Sequence, residues 1–375
     1  MDGTVRKRVV VSAVNIRKGG TLTVLRDCLR YLSGREDLQV TAIVHKKSLC
    51  EYPAIDYIEI PWSIDSWAKR LKCEYKTMKG ISEGLGDIDL WLSLHDTTPV
   101  VTARRQAVYC QTSFPFLKVL PRDFFMDRKI PLFALFTKYA YKMHVRRNRY
   151  LIVQQEWLRE GLARKLRLPQ KRFIVAPPAF QAPEIRDTSA VEAAPVFLYP
   201  ASPDCHKNFE TLCRAAVLLE NKLGQNAFRV VITIKGDENR YASWLKKKWG
   251  TVPSVDFHGF LSKEELYAYY GRAACLVFPS RVETWGLPIS EFKPSGKPMI
   301  LADLPYAHES AAGAERVVFF PVLDEKALAG QMELAIRGNL SNFGDCTRPH
   351  AAEPFARDWD ALFALLLEDE SLATR

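Results

Sequence analysis

Val9-Val10-Val11-Ser12-Ala13-Val14 runs into Asn15-Ile16-Arg17-Lys18-Gly19-Gly20 and then into an amphipathic stretch from Thr21 to Leu32. The opening six residues are β-branched and apolar without alternation, the pattern of a strand buried on both faces. A glycine turn and a helix-period stretch after such a strand open an α/β unit. Further strands are expected at Gln39–Val44, Leu90–Leu94, Ala107–Tyr109 and Tyr150–Val153.

A second series follows the proline-rich segment Ala176–Pro195, which reads as a linker. Strands are expected at Val196–Tyr199, Arg229–Ile234, Val255–Phe257, Cys275–Phe278 and Pro298–Leu301. Helices are expected at Asn208–Glu220, Tyr241–Trp249 and Lys263–Tyr270, and one starting at Pro288. The tail Pro354–Leu367 places Trp359, Phe363 and Leu366 at helical spacing. The expected division is a domain over 1–178, a second over 179–350, and a tail helix in 351–375 that packs back on the first. Two doubly wound α/β domains in tandem would take a ligand in the crevice beyond the carboxyl ends of their strands, between the domains.

Composition narrows the class. Of 375 residues, 47% are hydrophobic and 26% charged, which excludes disordered, collagen-like and disulfide-scaffold chains. No apolar run is long enough to cross a bilayer. Arg6, Lys7 and Arg8 precede an apolar run too short for a signal-peptide core, so a cytoplasmic chain is expected. Eight cysteines are scattered without a C-x-x-C pair, the usage of reduced thiols rather than zinc ligands.

Charge is unevenly spread. Residues 1–178 hold 32 Lys/Arg against 17 Asp/Glu, and residues 101–150 alone hold 11 against 2. Such an excess points to a polyanionic partner. Residues 114–149 interleave the cations with Phe114, Phe116, Phe124, Phe125, Phe133, Phe136, Tyr139 and Tyr141. Lys138, Lys142, Arg146 and Arg149 recur at three- or four-residue spacing, as on one helical face. That composition suits an interfacial helix on anionic lipid. A merely solvated face is the alternative, and no nucleic-acid module accompanies the charge.

The stretch richest in chemistry is Phe278-Pro279-Ser280-Arg281-Val282-Glu283-Thr284-Trp285-Gly286-Leu287-Pro288-Ile289-Ser290-Glu291. A strand ends, a loop carries Glu283 and Gly286, and Pro288 stands where a first helical residue belongs. Amides at that helix start would favour an anion such as phosphate. Glu291, one turn in, either shares a ligand with Glu283 or serves as a first-turn carboxylate on the helix dipole.

Ser280–Glu291 resembles the E-x7-E signature of the family 4 retaining glycosyltransferases, whose GT-B fold is two facing Rossmann-like domains. Val255-Asp256-Phe257-His258-Gly259-Phe260-Leu261-Ser262, with Glu264-Glu265-Leu266, resembles the family's base-binding turn and the helix after it. Gly296-Lys297-Pro298-Met299-Ile300 and Glu309 match its next strand and loop, and Ser12–Gly20 resembles its glycine loop. Leu92–Pro99 with Ala107–Phe116 is similar to a subgroup acting in bacterial surface-polysaccharide and O-antigen assembly.

The resemblance implies roles. Glu283 would contact donor-sugar hydroxyls, with the amides of Thr284, Trp285, Gly286 and Leu287 near sugar and diphosphate. Glu291 would accept hydrogen bonds from the ribose, and Gly259 and Phe260 would line the base. Lys207, in His206-Lys207-Asn208, would neutralise the departing diphosphate, with Gly19 and Gly20 reaching it from the opposite domain. Breaking a sugar–phosphate bond needs leaving-group charge stabilisation and a cradle for an oxocarbenium-like centre. Three positions depart from the family pattern. Ser202 stands where an Arg is usual, Thr284-Trp285 replaces Gly-Phe, and Gln111 stands for the first domain's active-site His. Gln111 can hydrogen-bond but cannot become a cation.

Asp87-Ile88-Asp89 matches a D-x-D metal motif without its fold context and reads as loop acids, so no metal or other cofactor is expected. His95, with Asp96 at a strand end, is either a site group or part of a turn. The reading is a retaining, nucleotide-sugar-dependent hexosyltransferase with a glycan or lipid-linked glycan acceptor, peripheral on the inner face of the membrane. Its catalytic candidates are Glu283, Gln111 and His95. A GT-B nucleotide-sugar epimerase and a non-catalytic glycan- or membrane-binding scaffold are the rivals.

Overall fold

The computed structural model describes residues 6–178, 184–188, 192–347 and 351–368. Much of the expected linker and the 350/351 boundary lie at or beside residues outside that set. The described residues form two compact units. One takes those within Met1–Thr112, Phe136–Ala179 and Ala351–Arg375; the other takes those within Ser113–Leu135 and Phe180–His350.

The first unit holds a seven-stranded sheet: β1 (Lys7–Ala13), β2 (Leu38–Val44), β3 (Ile55–Glu59), β4 (Leu90–Ser93), β5 (Arg105–Tyr109), β6 (Tyr150–Val153) and β7 (Phe173–Val175). Its order is β3-β2-β1-β4-β5-β6-β7, and every pairing is parallel. Parallel strands need crossovers, and α1 (Gly19–Ser33), α2 (Trp67–Lys72), α3 (Met78–Leu85) and α6 (Glu156–Leu166) lie in them. Alternation along β1 fills two cores. Val9, Val11 and Ala13 pack with α1, and Val10 packs with Trp91 and Met78 on the other face.

The tail helix α13 (Trp359–Leu367) joins the first of these cores through Leu362, Phe363 and Leu366, with Phe363 stacked on Tyr31 at 5.4 Å. A helix with mean apolarity this high cannot stand in water, and the groove beside α1 covers it. The apolar tail begins at Pro354, but the helix starts only at Trp359, where Asp358 caps it by accepting from the Ala361 amide at 2.8 Å.

The second unit holds a six-stranded parallel sheet, β10-β9-β8-β11-β12-β13. Its strands are β8 (Val196–Tyr199), β9 (Arg229–Ile232), β10 (Val255–Phe257), β11 (Cys275–Phe278), β12 (Met299–Ala302) and β13 (Val317–Phe320). The helices α7 (Phe209–Leu223), α8 (Arg240–Trp249), α9 (Lys263–Arg272), α10 (Leu287–Phe292), α11 (Pro305–Ala311) and α12 (Glu325–Ile336) lie between or after these strands. The short α4 (Pro121–Met126) also belongs here, and α5 (Lys129–Lys142) runs across the unit boundary in sequence. The fold is a two-domain Rossmann-like α/β fold.

One expectation fails. Lys138, Lys142, Arg146 and Arg149 do not share a helix: α5 stops at Lys142, His144 is left-handed at φ 55°, and Val145–Arg147 is a separate 3-10 turn. Arg149 already leads into β6. Spacing alone carried the expectation, and a left-handed residue cancels a helical register.

Candidate active site

Strand order locates the site. In the second sheet the chain leaves β8 toward β9 and β10, then returns to β11 and continues away through β12 and β13. The order therefore reverses between β8 and β11, and loops leaving the carboxyl ends of those two strands splay apart to leave a crevice. The loop after β8 carries Ser202 and Lys207; the loop after β11 carries Glu283 and Gly286.

Across that gap Lys207 Nζ donates to Glu283 Oε1 at 2.6 Å, with side chains 15% and 13% exposed. The loops that present the pair are tied down. Tyr199 Oη, at the end of β8, donates to the Lys207 carbonyl at 2.7 Å and lies 2.9 Å from Ser280 Oγ. Asn208 adopts φ 60° and its amide donates to the Pro279 and Val322 carbonyls at 3.0 and 2.7 Å. Tyr306 donates to the Ser280 carbonyl at 2.7 Å. Burial, and then the Glu283 charge, hold the Tyr199 and Tyr306 phenols well above the ordinary tyrosine range, so both are neutral donors.

Gly286 enters α10 at φ +83°, and a Cβ there would meet Ile289 Cδ1 at 3.3 Å. A β-carbon is strained in that conformation, which fixes the residue type. Trp285 Nε1 donates to Ser290 Oγ at 2.9 Å, and its carbonyl accepts from Ser310. Thr284, Trp285 and Leu287 are half-buried. Glu291, inside α10, accepts from Tyr270 Oη at 2.8 Å; burial raises its pKa against the pull of that bond. After β10, Gly259 turns the chain at φ +97° and presents Phe260, 90% exposed. Ser202 Oγ donates to Asp204 at 2.6 Å.

Sequence reading missed the support under Lys207. Arg281, nearly buried, pairs with Asp123 at 2.7 Å, and its amide donates to the His206 carbonyl at 2.8 Å. His206 is buried edge-on to Phe114, 5.1 Å between centroids, and burial with the Lys207 and Arg281 charges holds its pKa well below the ordinary value. It is a neutral packing group. Asp123 and Phe114 are separated from Arg281 by more than 150 residues, so only the fold shows the contact.

The first unit reverses its strand order between β1 and β4, and the candidates there sit at that point. Gly19, at φ +70°, and Gly20 begin α1 after β1. His95 follows β4, its side chain fully buried. Its Nδ1 lies 2.9 Å from Arg70 Nη2 and 3.0 Å from Thr97 Oγ1, and its Nε2 lies 3.2 Å from Ser12 Oγ. A guanidinium can only donate, so Nδ1 accepts and the proton sits on Nε2, toward Ser12. Burial and then the Arg70 charge hold the His95 pKa well below ordinary. Glu74, buried beside it and 2.7 Å from Arg70, is pushed up to about 7 by burial.

Gln111, after β5, is equally fixed: its side-chain amide donates to the Leu94 carbonyl at 2.6 Å. Its backbone amide and that of Thr112 donate to Asp96 at 2.5 and 3.0 Å, and Tyr141 donates to the same oxygen at 2.7 Å. Asp96, at φ 66°, is thus the organising carboxylate of this loop, a role hidden in sequence because its partners are 15 and 45 residues away. Asp89 of the D-x-D stretch bonds the Arg8 amide at 2.8 Å and Arg104 at 3.2 Å.

Residues 181–348 match the sequence family described as Glycosyl transferases group 1. No curated protein matches the chain at sequence level. Among solved structures, sucrose-phosphate synthase from Thermosynechococcus elongatus is similar at a TM-score of 0.62 and 17% identity, over 90% of this chain and 92% of that one. The lipopolysaccharide outer core galactosyltransferase WaaB gives 0.60 and 11%, over 89% and 91%. HepE of Anabaena, in complex with UDP and glucose, gives 0.58 and 12%, over 90% and 92%. The stretch that matches the group 1 family thus holds the Lys207–Glu283 pair at the strand-order reversal, in a chain of GT-B fold.

Proposed function

We propose that the protein is a retaining glycosyltransferase that moves a hexose-type sugar from a nucleoside-diphosphate sugar to a lipid-linked glycan in bacterial O-antigen or capsule assembly. The observation that carries this reading is the Lys207–Glu283 pair at the reversal point of a group 1 domain. Lys207 loses its partner's oxygen to the donor and neutralises the leaving diphosphate. Glu283, freed from that bond, accepts from sugar hydroxyls and faces the cationic centre that forms as the bond breaks. Glu291 accepts from the ribose. The leaving-group phosphate takes the acceptor's proton as the acceptor oxygen attacks from the same face, so no protein nucleophile and no metal is assigned. Structures of Anabaena HepE in complex with UDP and with UDP-glucose support a nucleoside-diphosphate donor.

The same reading places the enzyme peripherally on the inner face of the membrane. In the first unit Trp67 and Leu71, one turn apart on α2, are 68% and 47% exposed. Tyr75, one turn further, meets Met143 Sδ at 3.7 Å, and Met143 continues the exposed row of Phe136 and Tyr139. Exposed Lys69, Lys72, Lys76, Lys138 and Lys142 flank that apolar ridge. An apolar ridge rimmed with lysines fits the boundary of an anionic bilayer.

A donor panel tests the proposal. Release of nucleoside diphosphate should require an acceptor, and the product should keep the donor's anomeric configuration by NMR. Donor consumption without an acceptor would instead support the epimerase, and neither binding nor release would support a scaffold.

A further inference from the structure

Three neighbouring parallel strands of the first sheet, β5, β6 and β7, are each entered through arginine. Arg104 and Arg105 open β5, Arg149 precedes β6, and Arg172 precedes β7. The 3-10 turn before β6 adds Arg146 and Arg147. All six line one cavity of about 750 Å³, whose lining contains no acidic residue. It lies at the amino ends of the strands, opposite the end that carries His95 and Gln111.

The cavity is built rather than incidental. Arg147 is anchored by donating to the Val101 carbonyl at 2.9 Å, and Arg172 by donating to the Arg146 carbonyl at 3.2 Å and to that of Asn148. These bonds fix the direction of each guanidinium and add no negative charge. Arg104 pairs with Asp89 at 3.2 Å. Burial first, and then the neighbouring Arg146 and Arg149 charges, lower the Arg172 pKa. Folding tolerates such crowding when an anion relieves it, and planar guanidinium forks match phosphate oxygens two at a time. The volume falls within the range of small-ligand pockets.

We propose that this arginine cavity is a second binding site, separate from the candidate active site, for an oxyanion bearing two or more phosphate charges. A soluble polyphosphorylated compound and a phosphorylated lipid headgroup offer the same chemistry.

Calorimetry with inorganic tripolyphosphate at low salt tests the site, using the full chain with Lys207→Ala so that the candidate active site does not contribute. The expected result is saturable binding that weakens at least tenfold in Arg146→Gln/Arg149→Gln, with the melting temperature unchanged. No binding at millimolar tripolyphosphate, or equal affinity in the double variant, overturns the proposal. Sedimentation with phosphatidylcholine vesicles carrying one-fifth phosphatidic acid identifies the source. Arginine-dependent, tripolyphosphate-competed vesicle binding supports the site with a lipid headgroup as ligand. Tripolyphosphate binding without that vesicle binding supports it with a soluble ligand.

Discussion

Lys207 and Glu283 are 76 residues apart in the chain and 2.6 Å apart in the fold, each the other's charge partner in a mostly buried place. Lys207→Ala leaves the Glu283 carboxylate without its cation and should cost about 1.5–3 kcal/mol of stability. Removing both charges together should restore part of that, since a paired deletion leaves no buried charge behind. A double-mutant cycle in urea measures the coupling, and additive single effects would remove the pair from the stability account. Glu283→Gln keeps a hydrogen-bond acceptor for Lys207 and should preserve the fold, while transfer falls by about 10²–10³. Near-normal turnover in that variant would take Glu283 out of the reaction.

Glu291 makes a different prediction because its pKa is raised by burial. Protonation removes the charge and turns one of the two acceptor oxygens into a donor, so donor affinity should fall as pH drops through that raised value. Glu291→Ala should weaken the donor by about 1.5–3 kcal/mol and flatten the pH dependence. Titration of donor binding by fluorescence between pH 4.5 and 8 checks both, and an unchanged dissociation constant would end the ribose assignment.

These roles were unequally legible in the sequence. Strand ends such as Val196–Tyr199, Val255–Phe257, Cys275–Phe278 and Tyr150–Val153 coincide with their expected limits, because buried parallel strands are continuous apolar runs with sharp polar borders. Ile55–Glu59 escaped notice: an edge strand with alternating polar residues carries a weak signal. Glu283, Gly286 and Glu291 were visible as candidates since one continuous stretch, the loop after β11 and the start of α10, holds them. The bonds made by Asp96, Asp123 and Tyr199 were not, because each holds a group brought near only by the fold.

Gly286 is required by geometry that can be tested directly. Gly286→Ala places a β-carbon at φ +83° and 3.3 Å from Ile289. The left-handed conformation alone costs an ordinary residue about 1–2 kcal/mol. Thermal unfolding should show that loss, and an unchanged melting temperature would mean the loop relaxes elsewhere.

The Glu74–His95 pair predicts opposed pH limbs. Glu74, raised to about 7, keeps its proton in the folded state where the unfolded chain has lost it. Its contribution is present at low pH and is lost as pH rises from the unfolded value toward about 7. His95, held neutral by burial, does the reverse: its penalty applies below the unfolded histidine value and vanishes above it. Glu74→Gln should therefore gain stability relative to wild type as pH rises from 5 to 7.5. Denaturant midpoints at several pH values decide it, and a pH-independent difference would contradict the raised carboxyl.

The lysine-flanked ridge is the last prediction. Trp67, Leu71, Phe136 and Tyr139 expose aromatic and aliphatic surface in the first unit, and Lys138 Nζ sits 5.0 Å from the Tyr139 ring. Cations near an anionic surface contribute roughly 1 kcal/mol each, and salt weakens them by screening. Buried aromatics add a contribution that salt does not screen. Lys138→Gln/Lys142→Gln should lower binding to phosphatidylglycerol-containing vesicles by about tenfold or more at low salt, and less at high salt. Trp67→Ser/Phe136→Ser should lower it at both. Both variants should keep turnover with a soluble acceptor, since neither touches the residues assigned to the donor. If the wild-type chain fails to sediment with these vesicles at low salt, the ridge meets something other than a membrane, and the peripheral placement falls with it.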